Sequence, residues 1–174
     1  MPTISKKGHN IPSSPIRKLV PYADKAKQNG VDILHLNIGQ PDIKSPIESI
    51  DAIKNIDLEL LKYEYSQGSH QFRKNLCSYY SSHSINVSPE DIITTVGASE
   101  ALSFTMNSIC DPGDDVIIPE PFYANYNGFA QASDVKVIPV TSKIEDNFAL
   151  PSIELFERKI NNRTKAILIC NPCN

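Results

Sequence analysis

An excess of positive charge is missing from this 174-residue chain: 17 Lys plus Arg stand against 20 Asp plus Glu, for a formal net charge of −3. General nucleic-acid binding relies on clustered base to neutralise phosphates, so the composition argues against that class of partner. Also missing is any apolar run near the roughly 20 residues that span a bilayer, which removes the expectation of a membrane segment. Cysteine is scarce, with only Cys77, Cys110, Cys170 and Cys173. The opening residues Met1-Pro2-Thr3-Ile4-Ser5-Lys6-Lys7 are polar, with no hydrophobic signal segment behind them. Together these features set the expectation of a cytoplasmic protein with reduced thiols.

Several chemical motifs are absent as well. Neither Gly-x-Gly-x-x-Gly nor the Gly-x4-Gly-Lys-Ser/Thr pattern occurs, which removes the common nucleotide-binding loops. No second pair of ligands at short spacing accompanies a cysteine pair, and His9, His35, His70 and His83 are scattered, so no metal site is expected. Cys170-Asn171-Pro172-Cys173 has the spacing of a redox pair. Redox chemistry would need a following helix to depress the first thiol's pKa, and one residue cannot supply it. The chain contains no internal repeat and no low-complexity tract.

What is present is an alternation of helical patterns with short β-rich runs, the pattern of a layered α/β domain with a central sheet. Residues 1–14 read as an extended arm that needs a surface to order it. A first helix is expected after Ser14-Pro15, ending at Asn29-Gly30, with Pro21 bending it or marking a later start. Further helices are expected over 47–61, 71–83, 99–110 and 152–160, and strands over 34–38, 92–96, 116–118, 135–140 and 166–170. A Pro-bounded aromatic segment fills 119–129.

Two stretches could carry chemistry. In Thr95-Val96-Gly97-Ala98-Ser99-Glu100 a β-run ends in glycine and a helix begins with small residues. Free backbone N–H groups and the positive end of the helix dipole would face one point there, as an anion or phosphate site requires. In Pro119-Glu120-Pro121-Phe122-Tyr123-Ala124-Asn125-Tyr126 prolines hold aromatic rings at the carboxyl end of an expected strand, where ligands of open α/β sheets sit. One such ring could stack on a planar cofactor, whereas Phe122 is expected to cover the sheet as a core aromatic.

Taken in order, these segments resemble the N-terminal part of the class I/II pyridoxal-phosphate-dependent aminotransferases, the aspartate aminotransferase superfamily of fold type I. The likeness runs from about Ser14 to Asn174. Leu36-Asn37-Ile38-Gly39-Gln40-Pro41-Asp42 resembles the substrate-side loop, in which the glycine, here Gly39, lends its N–H to a substrate carboxylate. Lys62-Tyr63, Gly68 and Phe72-Arg73 resemble the Tyr…Gly…Leu-Arg segment, whose tyrosine, here Tyr63, reaches across a homodimer to the partner's cofactor phosphate. By the same likeness Gly97, Ala98 and Ser99 form the phosphate cup, and Tyr123 lies against the ring of pyridoxal 5'-phosphate. Asn174 corresponds to the asparagine that bonds the cofactor's 3'-oxygen, and Asn171 to an upstream turn former.

The resemblance implies a three-layer α/β/α large domain with a mostly parallel sheet. Residues 1–46 would supply the arm, first helix and substrate-side loop, and residues 47–174 the first part of the cofactor-binding domain. It implies transfer of an amino group between an amino acid and a 2-oxo acid. The Schiff-base lysine, the aspartate that pairs with the ring nitrogen and the arginine that clamps the substrate carboxylate all lie beyond Asn174 in the family. Expectation therefore places the catalytic lysine outside this sequence and leaves the 174 residues alone inactive. The alternatives are a non-catalytic dimerisation or ligand-binding module of the same fold, or a lyase relative.

Overall fold

Val116, Ile117 and Ile118 are consecutive and all buried, so this run presents apolar side chains to both faces of a sheet. In a computed structural model that describes residues 2–172, they form the middle of strand β1 (Asp115–Glu120). Strand β1 pairs in parallel with β2 (Lys136–Thr141) on one side and β3 (Thr164–Ile167) on the other. Val116 stands opposite Val137 and Ala166, and Ile117 opposite Ile138 and Ile167.

The helices are α1 (Lys6–Asn10), α2 (Val20–Gln28), α3 (Ile47–Lys54), α4 (His70–Ser82), α5 (Gly97–Ile109), α6 (Asn125–Ala132) and α7 (Ile153–Glu157). Because side chains alternate along a strand, Val116 and Ile118 meet Met106 of α5 with Tyr126 and Ala130 of α6. Ile117 points the other way and packs with Val140 and Phe156 of α7. The sheet thus lies between helices on both faces, in the expected α/β/α layering with parallel strands. Burial of each such aliphatic side chain contributes about 1.5–3 kcal/mol.

By spatial contact the chain divides into two units. One comprises Met1–Ile38 with Ser99–Asn174 and contains the sheet, and the other comprises Gly39–Ala98. In the second unit Arg73 is the sole buried residue among those described.

Several expected elements change. Residues 34–38 form no strand, and Leu34 and Leu36 are exposed while the Asn37 side chain donates to the Ile16 carbonyl. Residues 92–96 are likewise not a strand. Ile92 is extended, but the Thr94 N–H and hydroxyl both donate to the Gln67 carbonyl instead of joining a ladder. Extended dihedrals alone do not make a strand when no neighbour supplies the alternating bonds. The helix expected over 47–61 stops at Asn55, whose N–H caps the Asp51 carbonyl, because Asn and Asp side chains compete with helical backbone bonds. Helix α7 is shorter than 152–160, and β3 begins two residues before the apolar run 166–170 and shares Ala166 and Ile167 with it, paired to Asp115–Ile117 of β1. The segment 119–129 contains the end of β1 and the first turns of α6. Pro21 marks the start of α2 after a 3-10 turn at Arg17–Leu19.

The arm is not wholly extended. Ser5 caps α1 by accepting from the Gly8 N–H, and Lys7 Nζ reaches the Ala132 carbonyl at 3.0 Å and the Asp134 carboxylate. The surface that orders the arm is therefore the carboxyl end of α6, where exposed carbonyls attract a cation.

Candidate functional site

Helix α5 begins at Gly97, where φ is +77°, a left-handed conformation that L side chains adopt at a cost. A β-carbon built on Gly97 would meet nothing within 4 Å, so the requirement for glycine is conformational, not steric. The turn is closed locally: the Gly97 N–H donates to the Thr95 carbonyl at 2.8 Å, and the Thr95 hydroxyl donates to the Gly97 carbonyl at 3.0 Å. Gly97, Ala98 and Ser99 are exposed and small, and they begin a 13-residue helix. N–H groups in the first turn of a helix have no intrahelical acceptor, so this is an open cradle with a positive end, able to take an anion the size of phosphate.

Tyr123 lies just before α6 and is 45% exposed. Its hydroxyl accepts from Asn125 Nδ2 at 2.6 Å, and its ring meets Tyr126 edge-on, with centroids 5.5 Å apart. Two contacts therefore hold a ring that still offers open area. Its neighbour Phe122 packs against the core, as the sequence leads one to expect, and stacks on Tyr126 at 6.1 Å.

A cavity of about 680 Å³ opens beyond the carboxyl ends of β1 and β3, lined by Ile118, Pro119, Phe122, Phe148 and Ile169, with Ser142 and Asn171 among its polar groups. Asn171 is exposed and sits in a bend, in keeping with a turn former. Cys170 donates weakly to the Pro172 carbonyl, with Sγ at 3.5 Å. Cys173 and Asn174 lie outside the described residues.

Gly39 and Tyr63 both lie in irregular backbone of the second unit, exposed to solvent. Tyr63 is fully exposed and sits between α3 and α4. Gly97 and Ala98 belong to that same unit, whereas Ser99 and Tyr123 belong to the sheet-bearing one. The helix itself runs unbroken from Gly97 through Ser99.

Arg73 carries a role that sequence reasoning did not assign. It is 8% exposed, and its guanidinium donates from Nε to the Gly68 carbonyl at 3.2 Å and from an Nη to the Pro89 carbonyl. A conformational signal was available in Gly68, five residues upstream, which takes φ +90°. Asn125, the partner of the Tyr123 hydroxyl, was also missed, because an exposed Asn after an aromatic carries no sequence signature.

The perturbed titrations lie away from these residues. The Ser88 N–H and then its hydroxyl hold the Asp91 carboxyl below its ordinary value, and the Ser152 hydroxyl does the same for Glu154. Partial burial, then the Asp114 charge, pushes the Cys110 thiol up. Among the described residues no group of three or more His, Cys, Asp or Glu could hold a metal ion, and no helix is long and apolar enough to cross a membrane.

Residues 31–174 match the family described as aminotransferase class I and II. An aspartate aminotransferase of Pyrococcus horikoshii is 32% identical over 166 residues, which cover 94% of this chain and 41% of that protein. The (5-formylfuran-3-yl)methyl phosphate transaminase of Methanocaldococcus jannaschii is 30% identical over 173 residues, 98% of this chain and 44% of that one. Among solved structures, an aspartate aminotransferase of Thermotoga maritima superposes with a TM-score of 0.89 at 28% identity, over 98% of this chain and 46% of that chain. An alanine aminotransferase of Pyrococcus furiosus also gives 0.89 at 28% identity, over 98% and 45%. The chain spans under half the length of these relatives. The parallel sheet between helical layers is that of the N-terminal portion of fold type I, and with the match over 31–174 it follows that this chain belongs to the class I and II aminotransferases.

Proposed function

We propose that this chain forms the N-terminal, cofactor-anchoring portion of a cytoplasmic, pyridoxal 5'-phosphate-dependent aminotransferase that acts as a homodimer. The observation that carries the reading is the start of α5, where Gly97 turns at positive φ into an exposed first turn of small residues. A phosphate dianion fits such a cradle, which offers N–H donors, the helix dipole and no side chain in the way. The Ser99 hydroxyl adds one further donor to the phosphate. Tyr123, its phenol held by Asn125, would lie against the cofactor ring and keep water from it. By the family likeness, the Gly39 N–H would orient the substrate's carboxylate, and exposed Tyr63 would donate to the phosphate bound by a second copy of the chain. Asn174 would bond the 3'-oxygen.

When bound, the cofactor supplies an electron-withdrawing ring that lets an amino group pass between an amino acid and a 2-oxo acid. The residues of this chain hold and orient, and none of them is assigned the proton transfer.

The test is an assay of the protein as its own gene encodes it, with 2-oxoglutarate, a panel of amino-acid donors and added pyridoxal 5'-phosphate. Glutamate should accumulate with at least one donor. Ser99→Ala should raise the cofactor concentration for half-maximal activity about 10-fold, the worth of one hydrogen bond to a charged group. No transfer from any donor at saturating cofactor would overturn the reading.

A further inference from the structure

In the proposed phosphate cup Gly97, Ala98 and Ser99 are exposed, and a β-carbon built on Gly97 would meet none of the described residues beyond its chain neighbours within 4 Å. Helix α5 packs on the core through Leu102 and Met106, whereas its exposed start at 97–99 lies next to the chain that leads into it. That lead-in, residues 89–96, is tied at two points to the turn before α4. At one end Arg73, in the first turns of α4, donates to the Pro89 carbonyl and also to the Gly68 carbonyl. At the other end the Thr94 N–H and Thr94 hydroxyl both donate to the Gln67 carbonyl, at 2.9 and 3.1 Å.

Two features mark this as a built contact. A β-carbon on Gly68 would stand 1.6 Å from Thr94 Oγ1 and 2.9 Å from Thr94 Cβ, so Thr94 lies directly on the Gln67–Gly68 backbone, and only glycine admits it. Arg73 is buried with carbonyl partners, and no ion pair among the described residues involves it. A guanidinium fork that bridges two carbonyls fixes their separation in a way a flexible ammonium does not.

We propose that Arg73, Gly68 and Thr94 form a latch whose task is to position the phosphate-binding start of α5, with Thr94 as the positioning residue three places before Gly97. The inference rests on the reading of Gly97–Ser99 given above. It adds that the cup's affinity for phosphate is set by hydrogen bonds to the Gln67, Gly68 and Pro89 carbonyls, which no phosphate touches. The latch acts on the phosphate alone, so it should leave recognition of the cofactor ring unchanged.

The test compares pyridoxal 5'-phosphate with pyridoxal, which lacks the phosphate, in equilibrium binding to the protein as its own gene encodes it. Thr94→Val keeps the shape and the backbone bond but removes the hydroxyl donor. It should weaken pyridoxal 5'-phosphate binding roughly 3- to 10-fold, the range for one hydrogen bond, and change pyridoxal binding by less than about twofold. Thr94→Ser should restore the phosphate-dependent affinity. Arg73→Lys should repeat the selective loss, and Thr94→Val keeps the test decisive if Arg73→Lys does not fold. Unchanged affinity in Thr94→Val, or equal weakening of both compounds, overturns the latch while leaving the cup. Wild-type protein that binds neither compound overturns the cup and the latch with it.

Discussion

The two units of the chain are held together by different physics. In the sheet-bearing unit Ile117 is 0% exposed, and Val116, Ile118, Tyr126, Ala130, Val140 and Phe156 are buried around it. In Gly39–Ala98 the single buried residue among those described is an arginine, every residue from 39 to 67 is exposed, and beside half-buried Leu76, Tyr80, Val87 and Ile92 run hydrogen bonds to the carbonyls of Gly68, Pro89 and Gln67. The contrast separates a region that buries its own apolar surface from one that displays it. Ile43, Leu58, Leu60, Leu61, Tyr63 and Tyr65 form an exposed apolar set of the kind that marks an interaction surface. The proposed homodimer supplies a reason for that set, since a tyrosine that serves a neighbour's site must point away from its own core.

The sharpest break between the two regions is expected from paired substitutions. Ile117→Ala, in a site with no solvent access, should cost about 2–5 kcal/mol in urea unfolding. Arg73→Ala should cost about 1–3 kcal/mol, because it leaves the Gly68 and Pro89 carbonyls without their donor. Its loss should appear as faster amide exchange confined to residues 65–95. Leu60→Ala, at a side chain 65% exposed, should shift the stability of a monomeric sample by no more than about 0.5 kcal/mol. A cost of several kcal/mol for Leu60→Ala would break the comparison, because it would show residues 55–65 covered within a single chain.

Smaller effects sharpen it further. Asp91 titrates below its ordinary value, so its favourable bonds to Ser88 are present above pH 3.8 and are lost as pH falls through the lowered folded value. Ser88→Ala removes the hydroxyl but keeps the backbone N–H, the larger cause, so it should return the Asp91 titration part of the way toward the ordinary value by NMR and weaken that acid-side dependence. Among the thiols, exposed Cys170 should alkylate at pH 8 before Cys110, whose ionisation is opposed by burial and by Asp114. Mass spectrometry of time points reads the order directly.

The legible part of the fold was the part governed by apolar burial. Residues 116–118 and 135–140 announced strands because β-branched runs have few other uses, and α4 followed from helical spacing closed by Ser69 and His83. Residues 34–38 alternate apolar with polar and 92–96 are β-branched throughout, yet such patterns report an extended backbone and not the partner it needs. Helix α6 was hidden by the prolines at 119 and 121 and by Gly128, features that read as loop until Tyr126 and Ala130 are seen in the core. At the candidate site, the helix start at Gly97–Ser99 and the packing of Phe122 on the core were readable from neighbouring residues. Arg73 was not, because a charged side chain between Phe72 and Lys74 gives no sign that it is buried.

Crystals grown with pyridoxal 5'-phosphate put the account to its most direct trial. The phosphorus should lie over the first turn of α5, with phosphate oxygens about 2.7–3.1 Å from the N–H groups of Ala98 and Ser99. Phosphate density at any other place on the protein, with that turn left bare, would contradict it.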